Sequence, residues 1–415
     1  MDELEREIDG LGRRRWGEDP RTAEAEAQRR AAALEVRHRR LRASLDALAE
    51  QEGATHSWHR RPVTLAEARG SLDEQTTLLT LHLGRDSLLI GVLDRHGFEV
   101  VTRPFGIWHA RRLVRRLAFH LDRPAVVFDA FAEVDDGLVL RAEEVLATCY
   151  QELIAPVIGR LDTQRLVVVP HGPLHAIPFH ALMPEAGGRP LLATHDIVTA
   201  PSVSIFAHAQ SLPQARGRGV TAFGVPDADA PGVVEEARGA ADAWPEAIAI
   251  SGDRATREAV LDALGQRAVV HVASHGTFDD DDPLRAGVRL GDGWLRTSDL
   301  YGRDVVSDLV VLSGCVTGRL SVRAADEPMG LIRGFLAAGA RQIITTLWHV
   351  VDETAQQLML RMHQRLASGD STTTALRLAA LDVREIHPHP AHWAPFAVLG
   401  THGAPRGANR DRSGS

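Results

Sequence analysis

Apolar runs without polar alternation recur along the C-terminal three quarters of the chain. They cover Arg165 to Pro170, Gly219 to Gly224, Ala268 to Ala273, Asp308 to Ser313 and Arg341 to Leu347. Such runs predict strands buried on both faces. Between them, helical spacing covers Val233 to Trp244, Thr256 to Leu264, Glu327 to Ala338 and Asp352 to Ala367. Alternating elements of this kind predict a mostly parallel sheet with helices on each side. Upstream, Thr77 to Leu83 and Ser87 to Leu93 flank the turn Gly84 to Asp86 and read as a strand pair. Gly97 to Thr102 reads as a third strand, and an irregular helical region follows from Ile107 to Gly159. A last helix, Ser371 to Glu385, precedes a closing strand or extended segment from His392 to Leu399.

From Thr22 to Glu50, Ala27, Ala31, Leu34, Leu41, Leu45 and Leu48 keep three-four spacing, broken only at His38. A coiled-coil-like helix with this seam needs a surface to lie on. A partner helix, a helical-repeat protein or the following domain would each serve. Gln51 to Pro62 reads as a linker, and the Gly, Arg, Asp and Ser tail after Gly403 carries no apolar anchor.

The chain has 415 residues, 44% of them hydrophobic, enough for one large or two medium cores. A formal charge of -8 gives no broad cationic field, so nucleic acid is not an expected partner. No stretch reaches the roughly 20 apolar residues of a membrane span, and none resembles a signal peptide. Two cysteines, Cys149 and Cys315, in unlike settings argue against a disulfide framework and for a reducing, cytoplasmic setting.

Two of the buried strands end on chemistry. Val269 to Ala273 runs into Ser274-His275-Gly276, and Leu309 to Ser313 runs into Gly314-Cys315. Loops beyond the carboxyl ends of parallel strands collect functional groups, which puts both on one rim. A thiol beside an imidazole can attack a carbonyl as thiolate and later receive help protonating the leaving amine. Backbone amides of Gly276 and Cys315 are candidates to hold the oxyanion. No third side chain is evident, leaving a backbone carbonyl or packing to orient His275. Against this stands the ordinary role of a strand-end cysteine as a small buried hydrophobe. His271, inside its strand, reads as an ordering core residue, although its offset from His275 leaves a metal pair open. His171, His175 and His180 cluster in sequence, but match no zinc spacing, and the phosphate-binding loop pattern is absent. No metal or other cofactor is expected. Cys149, in a helical pattern, is assigned to packing.

Five segments then carry a resemblance: Leu166 to Leu182, with its Pro170-His171-Gly172-Pro173-Leu174-His175 core, His271 to Gly276, Asp308 to Cys315, Gly330 to Gly339, and Thr346-Leu347-Trp348-His349-Val350. In order and spacing, together with Ala200-Pro201-Ser202 and His392-Trp393-Ala394-Pro395-Phe396, they closely resemble the CHAT domain, a caspase-like family related to separase and the caspases. The resemblance runs over about residues 64 to 403. It implies an α/β, caspase-like three-layer sandwich with a mostly parallel central sheet, plus the N-terminal helical arm. The domain reading is an arm and linker at 1–62, a CHAT-like region at 63–403 divided near 215, and a disordered tail at 404–415. It also implies a metal-free cysteine endopeptidase using a His275–Cys315 dyad on a protein substrate, regulated by an activating partner. A non-catalytic interaction module is the alternative. Gly314 stands where many members have alanine, and the family's usual tetratricopeptide repeats are missing.

The resemblance further places the extended Ile343 to Trp348 segment beside the substrate, with an exposed edge for backbone pairing and Thr346, Leu347 and Trp348 as contacts. Asp352 and Glu353 are candidates for an acidic pocket favouring Arg or Lys, or Asp352 caps the next helix. Trp294 and Trp348 line a pocket or fill core edges, and Asp279 to Asp282 form a solvated loop rather than a calcium site.

Overall fold

The computed structural model describes residues 62–128, 136–227, 230–277, 287–300, 302–314 and 330–406. The predicted arm from Thr22 to Glu50, the Asp279 to Asp282 run and Cys315 lie outside these residues. The described chain begins with a short helix, α1 (Leu65–Gly70), started by a capping box in which Thr64 and Glu67 exchange side-chain and backbone hydrogen bonds. Strands β1 (Thr76–Leu83), β2 (Leu88–Leu93) and β3 (Phe98–Arg103) form an antiparallel meander. Helices α2 (Ile107–Phe128) and α3 (Asp136–Leu153) follow, then β4 (Arg165–Val169), β5 (Asp196–Thr199) and α4 (Val203–Ser211).

The second half alternates as its pattern predicts. Its first part comprises β6 (Val220–Val225), α5 (Val233–Asp242), β7 (Ala247–Ser251), α6 (Arg257–Leu264) and β8 (Val269–Ser274). Three short strands then form a side sheet: β9 (Gly276–Thr277), β10 (Gly287–Leu290) and β11 (Gly293–Arg296). Its last part is β12 (Leu309–Ser313), α7 (Gly330–Ala338), β13 (Gln342–Thr346), α8 (Asp352–Ala367), α9 (Thr372–Ile386), α10 (Pro390–Trp393) and β14 (Phe396–Gly400). The segment from His392 is therefore helical at its start and becomes a strand only from Phe396.

Among the described residues, eleven strands form one sheet in the order β3-β2-β1-β4-β5-β14-β13-β12-β8-β6-β7. Strands β13, β12, β8, β6 and β7 are mutually parallel, as are β1, β4, β5 and β14. The two groups meet in antiparallel register at β13 and β14, where Thr346 pairs with Phe396. Alternation along the central strands divides the core. Val269, Leu309 and Val311 belong to the cluster containing Met359, Met362 and Leu366 of α8. Val270, Val272, Val310 and Leu312 pack in the cluster with Val260 of α6 and Phe335 of α7. This is a three-layer sandwich, with all five residues of β12 buried.

His271 points into the first of these layers and is fully buried. Trp244 Nε1 donates to His363 Nδ1 at 3.2 Å, so the proton on His363 sits at Nε2 and is donated to His271 Nδ1 at 3.1 Å. His271 Nε2 then lies 3.2 Å from Glu236 Oε1, a close polar approach without the alignment of a full hydrogen bond. Burial holds the affinity of His363 for a second proton well below that of a free imidazole. The chain ties β8 to α5 and α8, which suits the ordering role. His271→Leu is expected to lower stability by about 3 kcal/mol, because Glu236 would be left buried without its partner. Denaturant melts measure this loss. A normal melt with an abolished single-turnover rate would instead assign His271 to the chemistry.

Candidate active site

The carboxyl ends of β13, β12, β8 and β6 lie side by side on one rim of the sheet. Ser313 aligns with Ala273 across β12 and β8, and Val225 aligns with Ser274 across β6 and β8. The residues that leave these ends are Gly314, His275 and the Pro226-Asp227 pair. Parallel neighbours run about 4.8 Å apart, so the sheet alone gathers these exits.

The side sheet holds the backbone of His275. Ser274 Oγ donates to the Arg289 carbonyl at 2.6 Å, and Arg289 N–H donates to the His275 carbonyl at 2.8 Å. Gly276 continues as β9, paired with Val288. The imidazole is partly exposed at 36%, and its Nδ1 lies 3.7 Å from Asp227 Oδ2. Asp227 is itself 15% exposed. Its Oδ1 accepts the Ala230 N–H at 2.9 Å, and its Oδ2 lies 3.4 Å from Arg289 Nη1. A carboxylate thus sits beside the histidine where the sequence shows no evident third side chain. Gly224, in β6, lets α5 begin close over this rim, since a Cβ there would come within 2.6 Å of the Val233 carbonyl.

On the other side, Thr346 Oγ1 donates to the Gly314 carbonyl at 2.7 Å, pinning the peptide that leads into Cys315. Thr346 is fully buried, and Leu347 is partly buried between the two main clusters. Trp348 is 4% exposed, and its Nε1 donates to the Ala391 carbonyl, so it fills the core. Trp294 is half-buried on β11, opposite Arg289. Of the Ile343 to Trp348 segment expected to offer an exposed edge, the part from Ile343 to Thr345 is paired on both sides. Strand β13 is internal, bonded to β12 on one side and β14 on the other, and Leu347 N–H continues the pairing to the Pro395 carbonyl. Among the described residues, a bound chain has no free edge to join along Ile343 to Thr345.

Asp352 does not cap its own helix, whose N-cap is Val351. Its Oδ2 instead accepts the N–H of Gly232, the N-cap of α5, at 3.1 Å, and Glu353 next to it is exposed. Of the three clustered histidines, His171 and His180 take separate partners. His171 Nδ1 accepts the Leu83 N–H and its ring stacks on His82, His175 is buried, and His180 Nε2 donates to the Ala394 carbonyl. Among the described residues, no group of three or more His, Cys, Asp or Glu side chains is arranged to hold a metal ion. No described helix is long and apolar enough to cross a membrane. Cys149 is fully buried in α3, where burial pushes its thiol far above the usual range. Arg406, within the expected tail, donates its N–H to Asp308 and its guanidinium to the Ala215 carbonyl.

Residues 143–401 match the CHAT domain. This chain belongs to the CHAT domain family. Its curated relatives include tetratricopeptide repeat protein 28 of Mus musculus and of Homo sapiens, each 24% identical over 63% of this chain. The chain spans only 13% of the length of those proteins. Similar solved structures include two crystal structures of the Saccharomyces cerevisiae separase–securin complex. They align with TM-scores of 0.57 and 0.59 at 13% and 12% identity, covering 81% of this chain and 30% and 31% of theirs. This likeness is one of fold, and the CHAT domain described above is accordingly caspase-like.

Proposed function

We propose that this CHAT domain is a cysteine endopeptidase in which Cys315 attacks a peptide carbonyl and His275 transfers the proton. The observation that carries the reading is the register of β8 and β12, which sends the chain into His275 and toward Cys315 from adjacent parallel strand ends. In the reaction, the thiolate forms an S–C bond and the carbonyl electrons move to oxygen, held by the backbone amides of Gly276 and Cys315. Collapse breaks the C–N bond, His275 protonates the departing amine, and a thioester remains. Water then attacks while losing its proton to His275, and the thiolate departs.

Asp352 and Glu353, at the start of the helix after β13, are the acidic groups for a basic side chain ahead of the cleaved bond. Regulation by a partner protein fits the reading, because the similar separase structures are complexes with securin. A non-catalytic interaction module is the second reading, favoured by relatives named for tetratricopeptide repeats.

A diverse peptide library and a peptidyl electrophile test the two readings together. Cleavage and electrophile labelling that both vanish in Cys315→Ala are the expected result. Cleavage that persists in Cys315→Ala removes the assignment, and a Cys315 inert to the electrophile with no cleavage supports the interaction module.

A further inference from the structure

We infer that Asp227 is a positioning residue for His275, so that the rim carries three working side chains rather than two. The inference rests on the peptidase reading above and deepens it. Three observations support the assignment. The carboxylate lies 3.7 Å from His275 Nδ1, on the nitrogen that leaves Nε2 for the thiol. The carboxylate is 15% exposed and held by the Ala230 N–H, so its position beside the ring is fixed. It also emerges two residues beyond β6, whose Val225 pairs with Ser274 of β8, so the sheet itself maintains the approach.

The physical role follows from charge and geometry. A carboxylate facing Nδ1 orients the ring and complements the charge that develops on it as it takes the thiol proton. Arg289 makes this role adjustable. Its Nη1 lies 3.4 Å from the same Oδ2, so it competes with the imidazole for one oxygen. Arg289 is 48% exposed on the strand whose backbone also grips Ser274 and His275, and its withdrawal would free Asp227 for the imidazole.

Alkylation of the full-length protein by iodoacetamide, followed by intact mass, reads the site without a known substrate. Cys149 is buried, so label on the native protein reports Cys315. Asp227→Asn keeps an oxygen for the Ala230 N–H and removes only the charge. It is expected to slow labelling at neutral pH about tenfold, with Asp227→Glu restoring part of the loss. Arg289→Met is expected to label as fast as the parent or faster. Unchanged labelling in Asp227→Asn, with slowed labelling in His275→Ala, overturns the role of Asp227 alone. Parent-like labelling in His275→Ala overturns the dyad beneath it. An Arg289→Met protein that copies the Asp227→Asn defect assigns the carboxylate to loop packing and also overturns the inference.

Discussion

His275→Ala is expected to lower single-turnover peptide cleavage by about 10³-fold while leaving the melting transition close to that of the parent, the size expected when a positioned proton-transfer group is lost. The two halves of this result have separate causes. The rate falls because the thiol loses its proton acceptor and the departing amine loses its donor. The fold survives because what holds this position is backbone: the Arg289 N–H to the His275 carbonyl, the Ser274 hydroxyl to the Arg289 carbonyl, and the Gly276 pairing with Val288. The side chain is partly exposed, and among the described residues it gives up its approach to Asp227. Substitutions of that kind usually move stability by less than about 0.5 kcal/mol. Rapid-quench cleavage beside calorimetry checks both. A parent-like rate would remove His275 from the mechanism, and a collapsed melt would show the ring to be structural.

The same chemistry differs in how far it can be read from the chain. The strand ends at His275 and Gly314 are visible because β8 and β12 are buried on both faces and their apolar runs stop abruptly. Asp227 is not, because Pro226-Asp227-Ala228-Asp229-Ala230-Pro231 has the composition of a solvated turn. Only the lateral pairing of β6 with β8 turns that carboxylate into a neighbour of the histidine, and lateral order is a long-range property. The signal that could have found it was position, since Asp227 lies two residues beyond a buried strand and His275 one residue beyond its neighbour. Strand β7 escaped for another reason. It is an edge strand whose first three residues are exposed, so burial imposed no pattern on it. The direction of β14 was likewise hidden. A buried strand has the same composition whichever way it runs, and insertion of β14 between β5 and β13 covers one side of the segment expected to lie beside substrate.

Mild acid is expected to unfold this domain, with stability falling steeply from about pH 6.5 downward and the native state lost above about pH 4. The cause is a set of buried imidazoles held neutral. His175, His389 and His392 are 8%, 1% and 6% exposed. Burial, reinforced by His171 for His175 and by His387 for His392, takes these two down to about 4. Burial together with His392 and His120 takes His389 to about 3. His363 is pushed the same way by burial and His271. The sign follows from where the protons go. Below about 6.5 the unfolded chain binds protons at these sites while the native state refuses them, so each fall in pH favours unfolding until the native values are reached. At pH 5 a histidine lowered to about 4 costs the native state roughly 2 kcal/mol. A few such groups approach the roughly 5–15 kcal/mol that holds a typical domain together. The Asp73 carboxyl, lowered by Thr76, Arg165 and the Gln75 N–H against its own desolvation, adds a loss only at still lower pH. Denaturant melts at half-unit steps from pH 7.5 to 4.5 should therefore give a slope of several protons below pH 6. His389→Asn, which keeps an acceptor for the Ala391 N–H, should flatten that slope by about one proton. A stability that stays level between pH 7 and 5 would mean that the buried rings gain protons in place, and that the polar seams between helices and sheet open to water well before the fold does.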